Sequence, residues 1–179
     1  MARQTAAGSA DEADDAGAGD PRIDDLVTRL GSPDRETREA ARESLVDIGA
    51  PAVESLAAAL ANREAHTRWE AAKALQRIAD PSIAPAMVAA LEHDDSGVRW
   101  IAAETLATLG QAGLVPMLEA LVTTSDSTRL RNGAHHVLTA TTDTRLREAI
   151  APVLAALKDR APAIEVPGAA RNALLALED

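Results

Sequence analysis

The sequence contains no cysteine, no phenylalanine and no tyrosine. Without cysteine, the chain cannot form disulfides, thiolate zinc sites or cysteine nucleophiles. Trp69 and Trp100 are its only tryptophans, so a core has to be built from aliphatic side chains. Hydrophobic residues make up 46% of the chain and are mostly Ala, Leu, Val and Ile. This composition suits closely packed helices.

Positive charge is also scarce, since the chain has 18 Lys and Arg residues and 28 Asp and Glu residues, which gives a net charge of −10. Such a balance opposes nonspecific binding to nucleic acid or to anionic membranes, because both require positive charge. No apolar run approaches the length of a membrane span. The N-terminus also lacks the apolar segment of a signal peptide. We therefore expect no nucleic acid and no membrane as partner, and a cytoplasmic location.

The first twenty residues contain no Leu, Ile, Val or aromatic residue. Their five acids and single arginine give −4, which leaves −6 for residues 21–179. Such a segment cannot bury enough apolar surface to offset its chain entropy. The sequence therefore predicts a disordered acidic tail over residues 1–20 and one domain over residues 21–179.

A repeated segment organises the rest of the chain. It includes "TRWEAAKAL" from Thr67 and "VRWIAAETL" from Val98, and it also begins at Thr37, Leu130 and Val166. An arginine column, filled in the last segment by Pro167, runs through Arg38, Arg68, Arg99 and Arg131. A leucine column seven places later has spacings of 30, 31, 32 and 36 residues and contains Leu45, Leu75, Leu106, Leu138 and Leu174.

Each repeated segment follows another apolar helical pattern, such as the one that ends at Leu60. Asp80-Pro81 is typical of a helix start, and Gly49 and Gly110 are typical of helix ends. The chain is thus predicted to be all-α, with about five helix–turn–helix units, about ten helices and no sheet. A unit of this size cannot bury both its faces alone, so stacked units should form an α-solenoid.

The apolar first helix, the acidic turn and the "VR..A...L" segment resemble HEAT-like repeats of the short type first recognised in phycobilin lyases. The last unit departs from the pattern at Pro167 and in "DRAPAIEVP", and resembles a divergent capping repeat. The resemblance implies that the second helices line the concave side of the solenoid. It says little about function, because the family includes scaffolds, lyase subunits and a few enzymes.

Both tryptophans directly follow the arginine column and point away from the core stripe of their helices. Together with the resemblance, this predicts a partner-binding groove with Trp69 and Trp100 as anchors. The same ridge continues through Asn132 in the fourth unit and through Gly168 and Asn172 in the fifth. The predicted polar residues that flank the anchors are Lys73, Glu43, Glu104 and His136.

A structural interpretation stands beside the binding one. The two indole rings could lie over the neighbouring helix and fill the groove, with Arg68 and Arg99 stacked on them. The arginine column is expected to pair with acids of the turns, namely Asp34, Glu64 and Asp95.

No catalytic motif, cofactor motif or metal site is predicted. His135 and His136 diverge on their helix, and the chain has no glycine-rich phosphate loop, GxSxG or HExxH motif. We expect a non-catalytic scaffold that binds another protein or a peptide segment. Resemblance alone leaves a bilin lyase-type subunit open. Trp100 with Glu104 leaves a HEAT-like DNA glycosylase open, although that function requires a basic surface. The oligomeric state and the partner's identity stay open.

Overall fold

The computed structural model describes residues 20–178, and this part of the chain is helical without a β-strand. The all-helical prediction is confirmed. None of the described helices is long and apolar enough to cross a membrane. Within residues 20–178 ten α-helices follow one another: α1 (Pro21–Arg29), α2 (Arg35–Ile48), α3 (Val53–Ala59), α4 (Ala65–Ile78), α5 (Ala84–Ala90), α6 (Ser96–Thr108), α7 (Gln111–Thr123), α8 (Thr128–Ala140), α9 (Thr144–Leu157) and α10 (Pro162–Glu178).

The predicted acidic tail lies almost entirely outside the described residues, since these begin at Asp20. Asp20 itself belongs to the folded part. Its side chain accepts a hydrogen bond of 2.9 Å from the backbone N–H of Arg22 and caps α1. Asp20, the last residue of the predicted tail, is thus the N-cap of the first helix.

The helices form two layers. Each odd-numbered helix pairs with the even-numbered helix that follows it, which gives the predicted two-helix unit. The second helices α2, α4, α6 and α8 lie side by side in one layer, and α5 packs against α7 in the other. This stacking is what an α-solenoid requires, because every unit completes its core on its neighbours.

The core follows the predicted columns through the first four units. Each leucine of the column there is at most 1% exposed, and so is each alanine four places before it. Small alanine side chains let neighbouring helices approach closely, while the leucines fill the space between them. The fully or almost fully buried pairs are Ala41 with Leu45, Ala71 with Leu75, Ala102 with Leu106, and Ala134 with Leu138.

The fifth pair, α9 and α10, caps the array in a different way from the regular units. Helix α10 packs against α9 and against α7, which is a first helix. Two hydrogen bonds show that α10 runs antiparallel to α7: Gln111 Nε2 to the Leu177 carbonyl at 3.2 Å, and Ser125 Oγ to the Ala163 carbonyl at 2.9 Å.

This cap corrects two expectations from the alignment. Leu174, predicted as the fifth core leucine, is only half-buried, whereas Leu177 is 4% exposed. Gly168 and Asn172 do not extend the ridge of the second helices, since they line a groove with α9 residues such as Pro152. The cause is the change of neighbour, because contact with α7 turns a different side of α10 towards the core.

Side chains cap most second helices at their first turn. Asp34 accepts from the Thr37 N–H at 2.8 Å, and Asp95 accepts from the Gly97 N–H at 2.9 Å. The hydrogen bond from Gly97 lowers the pKa of Asp95, and Arg68 contributes to the lowering through its charge. Such caps satisfy backbone donors that have no partner inside the helix.

The arginine column is structural, but its main acceptors differ from the predicted turn acids. Each arginine donates through Nη1 to backbone carbonyls five or six residues earlier, at the turn between the two helices of its unit. Arg38 reaches the Ser32 carbonyl at 2.8 Å, and Arg99 reaches the His93 carbonyl at 2.7 Å. Only Arg68 adds a predicted acid, Asp95 of the next unit, at 3.5 Å.

We expect Leu106→Ala to lower the free energy of unfolding by about 2–5 kcal/mol, because it leaves a cavity in the closed core. Leu106 is 0% exposed. Chemical denaturation followed by circular dichroism measures the change. Leu175→Ala is the matched control: Leu175 is 58% exposed on α10, and its loss should cost less than about 0.5 kcal/mol. Equal losses for the two variants would contradict the stacking described above.

We expect Ala79→Gly to stabilise the protein by about 0.5 kcal/mol. Ala79 ends α4 at φ +49°, a left-handed conformation that a Cβ atom makes costly by about 1–2 kcal/mol. The greater freedom of glycine in the unfolded chain offsets part of that gain. Gly49 already ends α2 at φ +71°.

Ala151→Gly serves as the control for this second variant. Ala151 is exposed inside α9, where glycine should destabilise the helix by about 0.5–1 kcal/mol. Chemical denaturation of both variants compares the two positions. Destabilisation of similar size at Ala79 would show that the left-handed end of α4 is not formed.

Candidate functional site

The six residues predicted as a site lie on four adjacent helices. Glu43 is in α2, Trp69 and Lys73 are in α4, Trp100 and Glu104 are in α6, and His136 is in α8. None of the six is buried. Because α2, α4, α6 and α8 stack side by side, these residues share one face, which we call the second-helix surface.

Trp69 packs against the chain itself. Its ring lies over Gly97 at the start of α6, where an added Cβ atom would come within 2.5 Å of Trp69 Cζ3. Lys73 Nζ lies 5.4 Å from the ring centroid, which is a cation–π distance. Trp69 is therefore half-buried and fills the space between α4 and α6. Its cationic neighbour is Lys73, whereas the sequence suggested Arg68.

Trp100 has no such cover. Its relative exposure is 56%, and it lines a pocket of about 220 Å³ between α6 and α8. The two tryptophans, equivalent in sequence, thus have different environments. We call this cavity the Trp100 pocket; α6 contributes Arg99, Trp100 and Ala103 to it, and α8 contributes Arg129, Asn132 and His136.

The difference arises from the residue two places before the arginine column in the next unit. For Trp69 that residue is Gly97, which leaves room for the ring. For Trp100 it is Arg129, whose side chain extends to the turn between α5 and α6. Arg129 Nη1 contacts Asp94 Oδ1 at 2.8 Å and the Glu92 carbonyl at 2.9 Å. The Trp100 pocket consequently remains open.

Two side-chain contacts border the Trp100 pocket. One is the Arg129–Asp94 pair, and the other joins Glu104 Oε1 to His136 Nε2 at 2.5 Å. All four side chains are more than one-third exposed. Exposed pairs of this kind contribute about 0–1 kcal/mol, so a bound molecule can rearrange them at little cost.

Glu43 lies at the boundary between α2 and α4, on another part of the second-helix surface. It accepts a hydrogen bond from Arg77 of α4 and lies 3.3 Å from Arg42 Nη2. The hydrogen bond from Arg77, with a further one from Arg42, lowers the pKa of Glu43. Glu43 is thus engaged between α2 and α4 and lies outside the Trp100 pocket.

Sequence reasoning missed Arg129 and recognised Asn132 only as part of the ridge. A comparison of the residues two places before the arginine column could have found Arg129. Gly97 and Arg129 differ most in size there, and that difference decides which tryptophan is covered. Such a comparison requires knowledge that this column faces the tryptophan of the preceding unit.

Metal-ligating side chains are dispersed over the described part of the chain. Residues 20–178 contain no cluster of three or more His, Cys, Asp or Glu side chains that could hold a metal ion. Glu104, the carboxylate nearest in sequence to Trp100, is engaged by His136. The second-helix surface thus presents an exposed indole beside a small cavity with polar groups around it.

Comparison with known proteins agrees with the fold. A family model described as HEAT repeats matches residues 53–139, which run from α3 into the last turn of α8. These residues include both tryptophans and most of the second-helix surface. No curated protein gives a significant match. The match over residues 53–139 and the stacked helix pairs of residues 20–178 support a HEAT-like repeat protein.

Proposed function

We propose that this protein is a non-catalytic scaffold that binds a segment of another protein on its second-helix surface. HEAT repeats generally mediate protein–protein interactions. The observation that carries the proposal is the exposure of Trp100, 56%, beside an open pocket. Trp100 is the principal anchor, and the pocket receives one large side chain or part of one.

Energetic reasoning supports a role for Trp100 in association. Its neighbour Trp69 already contacts Gly97 and Lys73, so it gains less from a partner. Burial of an exposed indole on binding removes apolar area from water, and tryptophan is among the side chains most enriched at binding hot spots. The two rings therefore divide the roles that the sequence left open: Trp69 contributes to packing and Trp100 to binding.

The polar residues of the surface supply selectivity. The Glu104–His136 pair borders the anchor, and Lys73 lies one helix away beside Trp69. Glu43, held by Arg77, extends the surface towards α2. Since these charges alternate in sign, a partner must match a pattern, and exposed charges of this kind affect specificity and association rate more than affinity.

Neither alternative function gains support from a specific residue. A DNA glycosylase requires a basic face for phosphates, whereas this chain carries a net charge of −10. Lyase chemistry rests on the family resemblance alone. The protein-binding role uses the exposed ring and the adjacent cavity without any further group.

The two tryptophans should differ in a measurable way. We expect Trp69→Ala to lower the free energy of unfolding by about 1–3 kcal/mol, a fraction of the cost of a fully buried ring. Trp100→Ala should cost less than about 0.5 kcal/mol, as for an exposed site. Acrylamide should quench the single tryptophan of Trp69→Phe more strongly than that of Trp100→Phe. Equal quenching and equal stability losses would place both rings in the same structural role.

Capture from native lysate tests the binding role. We expect wild-type protein to retain a partner that Trp100→Ala loses, with binding weakened by about 2 kcal/mol or more. Leu175→Ala, which removes an exposed apolar side chain from α10, is the matched control and should retain the partner. Retention by Trp100→Ala contradicts the proposal. Recovery that nuclease abolishes would favour the DNA-binding alternative, and a bound tetrapyrrole would favour the lyase.

A further inference from the structure

We infer that the Trp100 pocket recognises an acidic side chain, Asp or Glu, of the bound protein segment. This inference rests on the proposed function and adds the chemistry of the ligand. Among the described residues that line the pocket, none carries a carboxylate. Their polar groups are two guanidinium groups, one amide, one imidazole and the indole N–H of Trp100, from Arg99, Arg129, Asn132, His136 and Trp100.

Both arginines keep donors for an incoming group. The observed contacts of Arg99 and Arg129 use Nη1, which in both residues donates to carbonyls of the turn between α5 and α6. Arg129 Nη1 also contacts Asp94 Oδ1. A guanidinium group has five N–H donors in a planar fork that matches a carboxylate. The Nε and Nη2 edges of both side chains therefore remain for an acceptor.

Two acids beside the pocket already have partners. Asp94 pairs with Arg129, and Glu104 pairs with His136. A cationic ligand would have to displace one of these partners and would then lie next to two permanent positive charges. A carboxylate avoids this repulsion, and it can replace Asp94 easily because Asp94 is 91% exposed.

Apolar surface in the same pocket suits the stem of an acidic side chain or an apolar neighbour in the segment. Leu91 and Ala103 are buried residues that line it, and the Trp100 ring is exposed beside them. The net charge of −10 acts against the approach of an acidic segment, so the recognition depends on these short-range contacts. The expected ligand is a segment with an acidic residue close to a large apolar residue.

Selection from a random-peptide display library on the full chain tests this inference. Peptides retained by wild type and lost by Trp100→Ala should share an acidic residue near a large apolar one. A synthetic peptide from that set, with its acid changed to the corresponding amide, should bind about tenfold more weakly, as expected for a charge-assisted hydrogen bond. Arg129→Gln should weaken the acidic peptide to a similar degree and the amide peptide very little.

A charge-reversal variant of Arg129 tests the inference more stringently. Arg129→Glu should select peptides that carry Lys or Arg in place of the acid. Arg145→Glu makes the same charge change at an exposed residue of α9, away from the second-helix surface, and should still select acidic peptides. Circular dichroism of each variant shows that the helical fold is intact, as expected for exposed residues.

The outcomes separate this inference from the proposed function. Peptides that require Trp100 but carry no acid, or carry a base, overturn the acidic ligand and leave the scaffold role intact. Unchanged selection by Arg129→Glu overturns the acidic ligand as well. If no retained peptide depends on Trp100, the result contradicts both the proposed anchor role of Trp100 and the acidic ligand.

Discussion

The structure depends on burial between neighbouring units. The leucine and alanine columns lie in second helices that pack on their own first helix and on the second helices of neighbouring units. Leu75 and Leu106 illustrate this, since both are 0% exposed although each lies in a helix with one open face. Stability is therefore shared along the array, as in other repeat proteins. The constraint also fixes the second helices as a continuous layer, and the candidate site lies on the open face of that layer.

Charged side chains reinforce the boundaries between these helices. Within each of the first four units, the column arginine satisfies carbonyls of its own turn, as Arg68 does with the Asn62 carbonyl at 2.9 Å. Between units, Glu70 of α4 pairs with Arg42 of α2, and both side chains are largely buried. Removal of one member of a buried pair leaves an uncompensated charge, so such a pair makes wrong registers between helices costly. A well-defined register matters for the proposed binding role, because the Trp100 pocket forms across the boundary between α6 and α8.

The C-terminal pair shows what happens where the stacking ends. A regular fifth unit would place α10 beside α8 and lengthen the second-helix surface. Instead, α10 lies antiparallel on α7, and the surface ends at α8. Arg129, Asn132 and His136 therefore form the last side of the surface, and the boundary between α6 and α8 is its last groove. The Trp100 pocket, the site of the proposed binding, lies in that last groove.

The sequence by itself determined the helical units, their number, the core columns of the first four units and the position of both tryptophans outside the core stripe. These properties follow from a period of 3.6 residues and from local turn chemistry, so they can be read without knowledge of distant contacts. The environment of each tryptophan was decided only in the tertiary structure. Trp69 is covered because Gly97 of α6 leaves room for its ring. Trp100 is open because the equivalent residue of α8 is Arg129, whose side chain contacts Asp94 instead. The position of α10 was likewise decided by its contact with α7. In each case the deciding residue comes from another unit, and helical periodicity within one segment carries no information about which residue of a neighbouring helix will face it.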